Sequence, residues 1–229
     1  MKTKIITAIL ASLLAVSAMG GCTKDPTDDP AVSTSGTAAE STLATTGGKV
    51  DLTHDPEEEA KKEEIRNTYA ASAEDKELLA NEETQSAIKY TGFEAKYFNT
   101  PALSDDIPYA AATPIYSHSR IHNYIEESSA NYDLGEGADS FTAVGEGYMD
   151  SYFTDNGLVV ISFTDEEGGG SYTLTGAWDE HIHGDSFHLD TLVFALKKTP
   201  GENKTGHFII EADSDFLETW DSFSVSIYE

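Results

Sequence analysis

The clearest pattern in the chain is an alternation of apolar and polar residues in its C-terminal part. Val159, Ile161 and Phe163 stand two positions apart, and the same spacing recurs near the C-terminus. A period of two is typical of strands with one buried face, and turn-forming residues separate the runs. The pattern predicts six strands, at residues 140–153, 157–164, 171–178, 186–196, 206–212 and 222–228.

Short connections between these strands favour antiparallel neighbours in a meander. Six or more such strands close into a barrel or pack as a sandwich. Residues 85–229 are therefore expected to form a mainly β domain, an antiparallel β-barrel or β-sandwich. The aromatic-rich residues 88–98 predict an additional first strand, and residues 100–114, which contain three prolines, predict a loop.

The segment 115–128 is compatible with two structures. Ile121, Tyr124 and Ile125 have the spacing of one helix face, whereas an extended segment would place every second residue on one strand face. We expect a helix that begins at Thr113 and Pro114, because proline suits the first helical position. The β domain would then contain an early loop and helix.

Two short helices are predicted before the β domain. Asp55 is followed by a proline and three glutamates, which favours a helix from there to about residue 71. Ser72 and Asp75 resemble a capping box, which predicts a second helix to about residue 83. The first helix has few large apolar residues, chiefly Ile65 and Tyr69. Residues 55–84 are expected to form a short helical stalk, and its packing on the β domain is left open.

The N-terminal residues have the features of an export signal. Lys2 and Lys4 precede an uncharged apolar stretch, residues 5–16, that is too short to span a membrane. Small residues follow, and then the only cysteine, Cys22. This arrangement resembles the signal of bacterial lipoproteins, with Gly20 and Gly21 fitting the family pattern and Met19 departing from it.

The resemblance implies that residues 1–21 are removed and that Cys22 is lipidated, which would hold the protein on the extracytoplasmic face of a bacterial membrane. Ordinary signal cleavage, which would leave a free thiol, and an uncleaved cytosolic start are the alternatives. Residues 22–54 are rich in threonine, serine, aspartate, proline and glycine. Such a segment buries too little apolar surface to order itself, so we expect a disordered tether.

Composition narrows the class of protein further. The 229 residues include 14 Lys and Arg against 41 Asp and Glu, a formal net charge of −27. This acidity argues against nucleic acid as a partner, because no basic surface is available to neutralise phosphates. A single cysteine excludes an internal disulfide framework and a cysteine-based zinc cluster.

The histidines are candidate metal ligands. His181 and His183 would share a strand face, and His188 begins the next strand, so a zinc site at this hairpin is one hypothesis. If residues 115–128 form a helix, His118, His122 and Glu126 lie on one face and form a second candidate zinc set. Neither spacing matches a strong zinc signature, and the metalloprotease pattern lacks its glutamate.

Acidic and aromatic residues supply further candidates. Glu211, Asp213 and Asp215 could offer oxygen ligands to calcium near the end of a strand. The aromatic side chains Trp178, Trp220, Tyr148 and Tyr172 fit either a β core or a ligand-binding face.

These features favour a membrane-anchored protein that binds an unknown extracytoplasmic ligand or partner, such as a sugar or a cation, through its β domain. A metal-dependent hydrolase using His181, His183 and His188 is the main alternative. A structural envelope protein without a small ligand is the third hypothesis. No nucleophile or phosphate-binding motif decides between an enzyme and a binding protein.

Overall fold

A computed structural model describes residues 55–77, 87–105, 107, 110–165, 168–183 and 188–229, with only the backbone of residues 182, 183 and 188. The predicted signal (1–21), Cys22, the tether to residue 54 and the end of the second predicted helix lie outside the described residues. Within the described ranges, no helix is long and apolar enough to cross a membrane.

The protein is mainly β and consists of two sheets, which agrees with the sandwich among the predicted architectures. The strands are β1 (Glu94–Asn99), β2 (Ala110–Ile115), β3 (Asn156–Thr164), β4 (Gly170–His183), β5 (His188–Pro200), β6 (Thr205–Asp213) and β7 (Ser222–Tyr228). One sheet has the order β1-β6-β3-β2 and the other β4-β5-β7. Neighbours are antiparallel except β5 and β7, which are parallel. The predicted meander is therefore wrong.

The main core lies between the two sheets. Val159, Ile161 and Phe163 of β3 are fully buried there with Leu192 and Phe194 of β5. Burial of each such side chain contributes about 1.5–3 kcal/mol. These side chains are alternate positions along β3 and β5, because successive residues of a strand point to opposite faces of the sheet.

A second apolar cluster covers the outer face of the larger sheet. Leu158 and Val160 of β3 pack there with Ile121 and Ile125 from helix α3 (His118–Ser128). Strand β3 is thus buried on both faces, which is why its apolar run is continuous. The helix predicted for residues 115–128 is confirmed, and the Ser117 hydroxyl caps it.

The expected start of that helix is wrong. Residues 113 and 114 belong to the edge strand β2, where a proline is tolerated because its missing N–H faces away from the ladder. Helix α3 begins only after Ser117.

Residues 140–153 do not form the predicted strand. They form helix α4 (Phe141–Glu146) and a 3₁₀ turn (Tyr152–Thr154). The Ser140 hydroxyl accepts the Ala143 N–H at 3.1 Å, which starts α4. Phe141 and Gly145 then bury one face of α4 against the second cluster and α3.

The N-terminal helices pack on the β domain. Asp55 caps α1 (Pro56–Arg66) as predicted, and the helix ends about five residues earlier than expected. Ile65 and Tyr69 contact the main core, and Arg66 is buried. Helix α2 (Ala73–Glu77) starts at the predicted capping box. A last short helix, α5 (Ser214–Glu218), connects β6 to β7.

Candidate functional site

Two histidines of α3 meet a glutamate of α4. The Nδ1 of His122 lies 2.7 Å from Oε1 of Glu146, and the Nε2 of His118 lies 4.0 Å from Oε2 of the same carboxylate. The Nε2 of His122 is 3.5 Å from Glu126. We call His118, His122, Glu126 and Glu146 the helix-pair cluster. The hydrogen bond to Glu146 is the main cause that raises the pKa of His122.

The helix-pair cluster brings together the predicted set His118, His122 and Glu126, and adds Glu146. Glu146 was not among the predicted ligands, because the pattern of residues 140–153 predicts a strand. Ser140 followed by apolar residues at helical spacing was the signal that could have found α4. Over the described ranges, no three His, Cys, Asp or Glu side chains are already arranged to hold a metal ion.

Beside the helix-pair cluster, two tyrosines bind Glu211 of β6. Tyr148 donates to its Oε1 at 2.6 Å and Tyr152 to its Oε2 at 3.0 Å. Burial, with added repulsion from Glu211, raises the pKa of both phenols. Tyr148, a predicted ligand-binding aromatic, thus holds an internal carboxylate. Glu211, a predicted calcium ligand, has both oxygens engaged by these hydroxyls.

The other two predicted calcium ligands line an open cleft at the end of the larger sheet. Asp213 ends β6, Asp215 lies in α5, and Asp155 precedes β3. The cleft has a volume of about 330 Å³ and also exposes hydroxyl groups. Its full lining is Ile65, Thr68, Thr154, Asp155, Asp213, Ser214 and Asp215. We call it the acidic cleft. No described Lys, Arg or His pairs with its three carboxylates.

At the predicted histidine hairpin, His181 is held between two carboxylates. Its Nδ1 lies 2.7 Å from Asp190 and its Nε2 2.8 Å from Asp179. The hydrogen bond to Asp190 is the largest cause that raises the pKa of His181. The side chains of His183 and His188, the other predicted ligands of this hairpin, lie outside the described part.

A buried arginine extends this network to α1. Arg66 pairs with Asp190 at 2.8 Å, and its guanidinium lies 3.9 Å from the centre of the Trp220 ring. It also donates to the backbone carbonyl of Thr219. Lys89 pairs with Asp179 on the other side at 2.5 Å. The hairpin therefore contains a chain of alternating charges that fastens α1 to the smaller sheet.

Of the other aromatic residues predicted to bind a ligand, two lie in the core and one is partly buried. Trp220 is 5% exposed and packs in the main core, as does Tyr172, whose hydroxyl donates to Asp165 at 2.5 Å. Trp178 is partly buried, and its indole N–H donates to Glu180 at 3.3 Å. For Tyr172 and Trp220 the structure supports the core alternative.

This chain matches no protein-family model, no curated protein and no solved structure. Its function is therefore inferred from the chemistry of its own side chains.

One histidine, His207, lies under α3 away from the other groups. It is fully buried, and its Nδ1 is 2.7 Å from the Thr100 hydroxyl. Its Nε2 has no hydrogen-bond partner in the described structure. Tyr132, Phe141 and Tyr124 surround the ring. Burial lowers the pKa of His207 to about 3, so the ring is neutral at ordinary pH.

Proposed function

We propose that the protein is a lipid-anchored, extracytoplasmic binding protein whose β domain takes up a small organic cation in the acidic cleft. The observation that carries the proposal is the cleft itself, where Asp155, Asp213 and Asp215 meet without a paired base among the described residues. A ligand with one or more ammonium groups would neutralise these carboxylates.

The hydroxyl groups of the cleft add a second element of recognition. Thr154 and Ser214 can each donate and accept a hydrogen bond, and the Thr68 hydroxyl, which donates to the Ile65 carbonyl at 2.7 Å, can still accept one. A ligand with both amine and hydroxyl groups would find partners for both. The volume of about 330 Å³ is in the range of small-molecule sites. The net charge of −27 would raise the local concentration of cations around the domain.

Isothermal titration calorimetry with matched probes tests the ligand class. Glucosamine and glucose differ in the ammonium group, and spermidine carries amines without hydroxyls. We expect heat of binding for glucosamine or spermidine and none for glucose. Binding of Ca²⁺ without binding of either amine would overturn the proposed ligand class and favour the calcium hypothesis for Asp213 and Asp215.

Neutral variants of the cleft test the location. Asp155→Asn and Asp213→Asn should each weaken amine binding about tenfold or more, because each removes one charge at short range. Glu136→Gln removes an equal charge from an exposed loop residue outside the cleft and should leave the affinity unchanged. An equal loss in all three variants would show only a general effect of net charge and would contradict the assignment to the cleft.

The anchor has a separate test that leaves the cleft untouched. We expect mass spectrometry of the protein from bacterial membranes to show a diacylglycerol group on Cys22. The Cys22→Ser variant should lose this group and leave the membrane fraction. A Cys22→Ser protein that stays membrane-bound by the same route would contradict the lipid anchor.

A further inference from the structure

We infer that helices α3 and α4 carry a site for a divalent transition metal such as Zn²⁺, with His118 Nε2, His122 Nδ1 and the Glu146 carboxylate as ligands. This site is independent of the acidic cleft and of the cation proposed there. It rests on how the two imidazole rings are held, on the distance from each ring to Glu146 and on the charge around them.

The ring of His118 is held as a ligating imidazole would be. Its Nδ1 lies 2.9 Å from the backbone carbonyl of Tyr148. A carbonyl only accepts, so Nδ1 must carry the proton, and neutral His118 has its lone pair on Nε2. That atom faces Glu146 at 4.0 Å. Metal-bound histidines typically donate their second N–H to a carbonyl or carboxylate in this way.

The ring of His122 lies between two carboxylates. Nδ1 meets Glu146 at 2.7 Å, while Nε2 lies 3.5 Å from Glu126. A metal in place of the Nδ1 proton would leave the Nε2 proton directed at Glu126. Glu126, which the sequence predicted as a ligand, would then orient His122 from outside the coordination sphere.

The distances from the two imidazole rings to Glu146 bracket the donor separation of a tetrahedral ion. With metal–ligand bonds of roughly 2.0–2.1 Å, ligand atoms in a tetrahedron lie about 3.3 Å apart. The Nδ1 of His122 lies 2.7 Å from Oε1 of Glu146 and the Nε2 of His118 lies 4.0 Å from its Oε2, one distance on either side of this value. The donors are not yet gathered as a metal-binding group, and small side-chain rotations would bring them together.

Partial exposure of the side chains leaves room for these rotations. The exposed fraction is 33% for His118, 48% for His122 and 35% for Glu146. The same exposure gives the ion a path from solvent. Three protein ligands leave a fourth position for water.

Charge favours the same occupant. No Lys or Arg among the described residues pairs with Glu126 or Glu146, whose ion-pair partners in the structure are imidazoles. A divalent cation would balance the two carboxylates while the histidines bind as neutral ligands. Nitrogen and carboxylate ligands together suit zinc and its neighbours more than calcium.

Titration of the metal-free protein, prepared without a histidine tag, tests the site. We expect about one equivalent of Zn²⁺ to bind in competition with a chromophoric chelator. Co²⁺ should give the visible absorption of a tetrahedral centre. His118→Gln and His122→Gln should each lower the Zn²⁺ affinity by more than a hundredfold. Glu126→Gln should lower it about tenfold, as the loss of an orienting partner does.

The matched control is His181→Gln, which removes an equally exposed histidine at the hairpin and should leave Zn²⁺ binding unchanged. Circular dichroism and thermal unfolding would confirm that each variant is folded; His118, His122 and Glu126 lie on a partly exposed helix face. Absence of stoichiometric Zn²⁺ binding would overturn the inference. So would binding that survives His118→Gln or that disappears with His181→Gln, since the latter would place the metal at the hairpin.

Discussion

Protonation of His207 is expected to destabilise the protein at mildly acidic pH. The ring is fully buried, and its neighbours are Thr100 and three aromatic side chains. No described carboxylate contacts it, so an imidazolium there would lie without a counter-charge. Burial accordingly lowers the pKa of His207 to about 3, from an ordinary value of 6.5.

The size of the effect follows from proton linkage. Between pH 6.5 and about 3 the unfolded chain binds a proton at His207 that the folded protein does not bind, so stability falls as the pH falls. Across this whole pH range the free energy of unfolding falls by about 5 kcal/mol, because each pKa unit between the unfolded and folded values corresponds to about 1.4 kcal/mol. Between pH 7.5 and pH 5, the expected loss is about 2 kcal/mol.

Urea denaturation followed by tryptophan fluorescence measures this loss. His207→Asn removes the ionisable group and keeps a polar atom near Thr100. The two proteins are compared by how much their free energy of unfolding changes with pH, so a difference in absolute stability does not affect the test. We expect the free energy of unfolding of the native protein to fall by about 2 kcal/mol more than that of the variant between pH 7.5 and pH 5.

A second measurement needs no variant. Histidine ring signals in NMR spectra report each pKa directly, and the His207 signal should not shift between pH 8 and pH 5. Titration of His207 near pH 6.5 in the folded protein would refute the reasoning. An identical pH dependence of stability in the native protein and in His207→Asn would refute it as well.

Three further predictions concern the other buried or constrained groups. Arg66→Ala should lower the free energy of unfolding by about 3 kcal/mol, because it removes the buried partner of Asp190. Its control is Lys62→Ala, which removes only partly exposed ion pairs and should lower the free energy of unfolding by less than about 1 kcal/mol in the same denaturation experiment. Gly176→Ala should lower the free energy of unfolding by about 2 kcal/mol or more, since the glycine has φ +146° and an added Cβ would lie 2.6 Å from the Tyr90 carbonyl oxygen. Gly137→Ala is its control and should have a smaller effect, because the space around Gly137 is open and its φ is ordinary. The pKa of His181 is raised by Asp190 and Asp179, so the charged ring stabilises the fold fully below pH 6.5, and this contribution is lost as the pH rises through the folded pKa. NMR titration should show a pKa above 6.5 for His181, and Asp179→Asn should lower it. An ordinary pKa for His181 would contradict the paired geometry.

The positions of most strands could be predicted because their signal is local. Strands β3 to β7 lie within a few residues of the predicted ranges, and the predicted 222–228 coincides with β7. Their order could not be predicted in the same way. Strand β6 pairs with β1 and β3, and β7, which follows β6 and α5 in the chain, pairs in parallel with β5. Such pairings depend on contacts between residues distant in the chain, which alternation does not encode.

The residues of the helix-pair cluster and of the Arg66 network were predicted only in part. His118, His122 and Glu126 followed from helical spacing, but Glu146 depended on α4, whose residues had been assigned to a strand. Arg66 gave no local signal, because an arginine in the last turn of a helix is ordinarily solvated and favourable there. Only the tertiary fold brings Asp190 and Trp220 to it.

The placement of the few bases explains why so much negative charge remains available at the surface. Arg66, Lys89 and Lys198 pair with Asp190, Asp179 and Asp165, carboxylates that are all nearly buried. A buried carboxylate without a partner is costly, so removing any of these three bases would lower the stability of the fold. The 14 bases are thereby partly used for internal neutralisation, against 41 acids. The exposed carboxylates of the acidic cleft and the helix-pair cluster are left without Lys or Arg among the described residues, which is the shared premise of the two proposed cation sites.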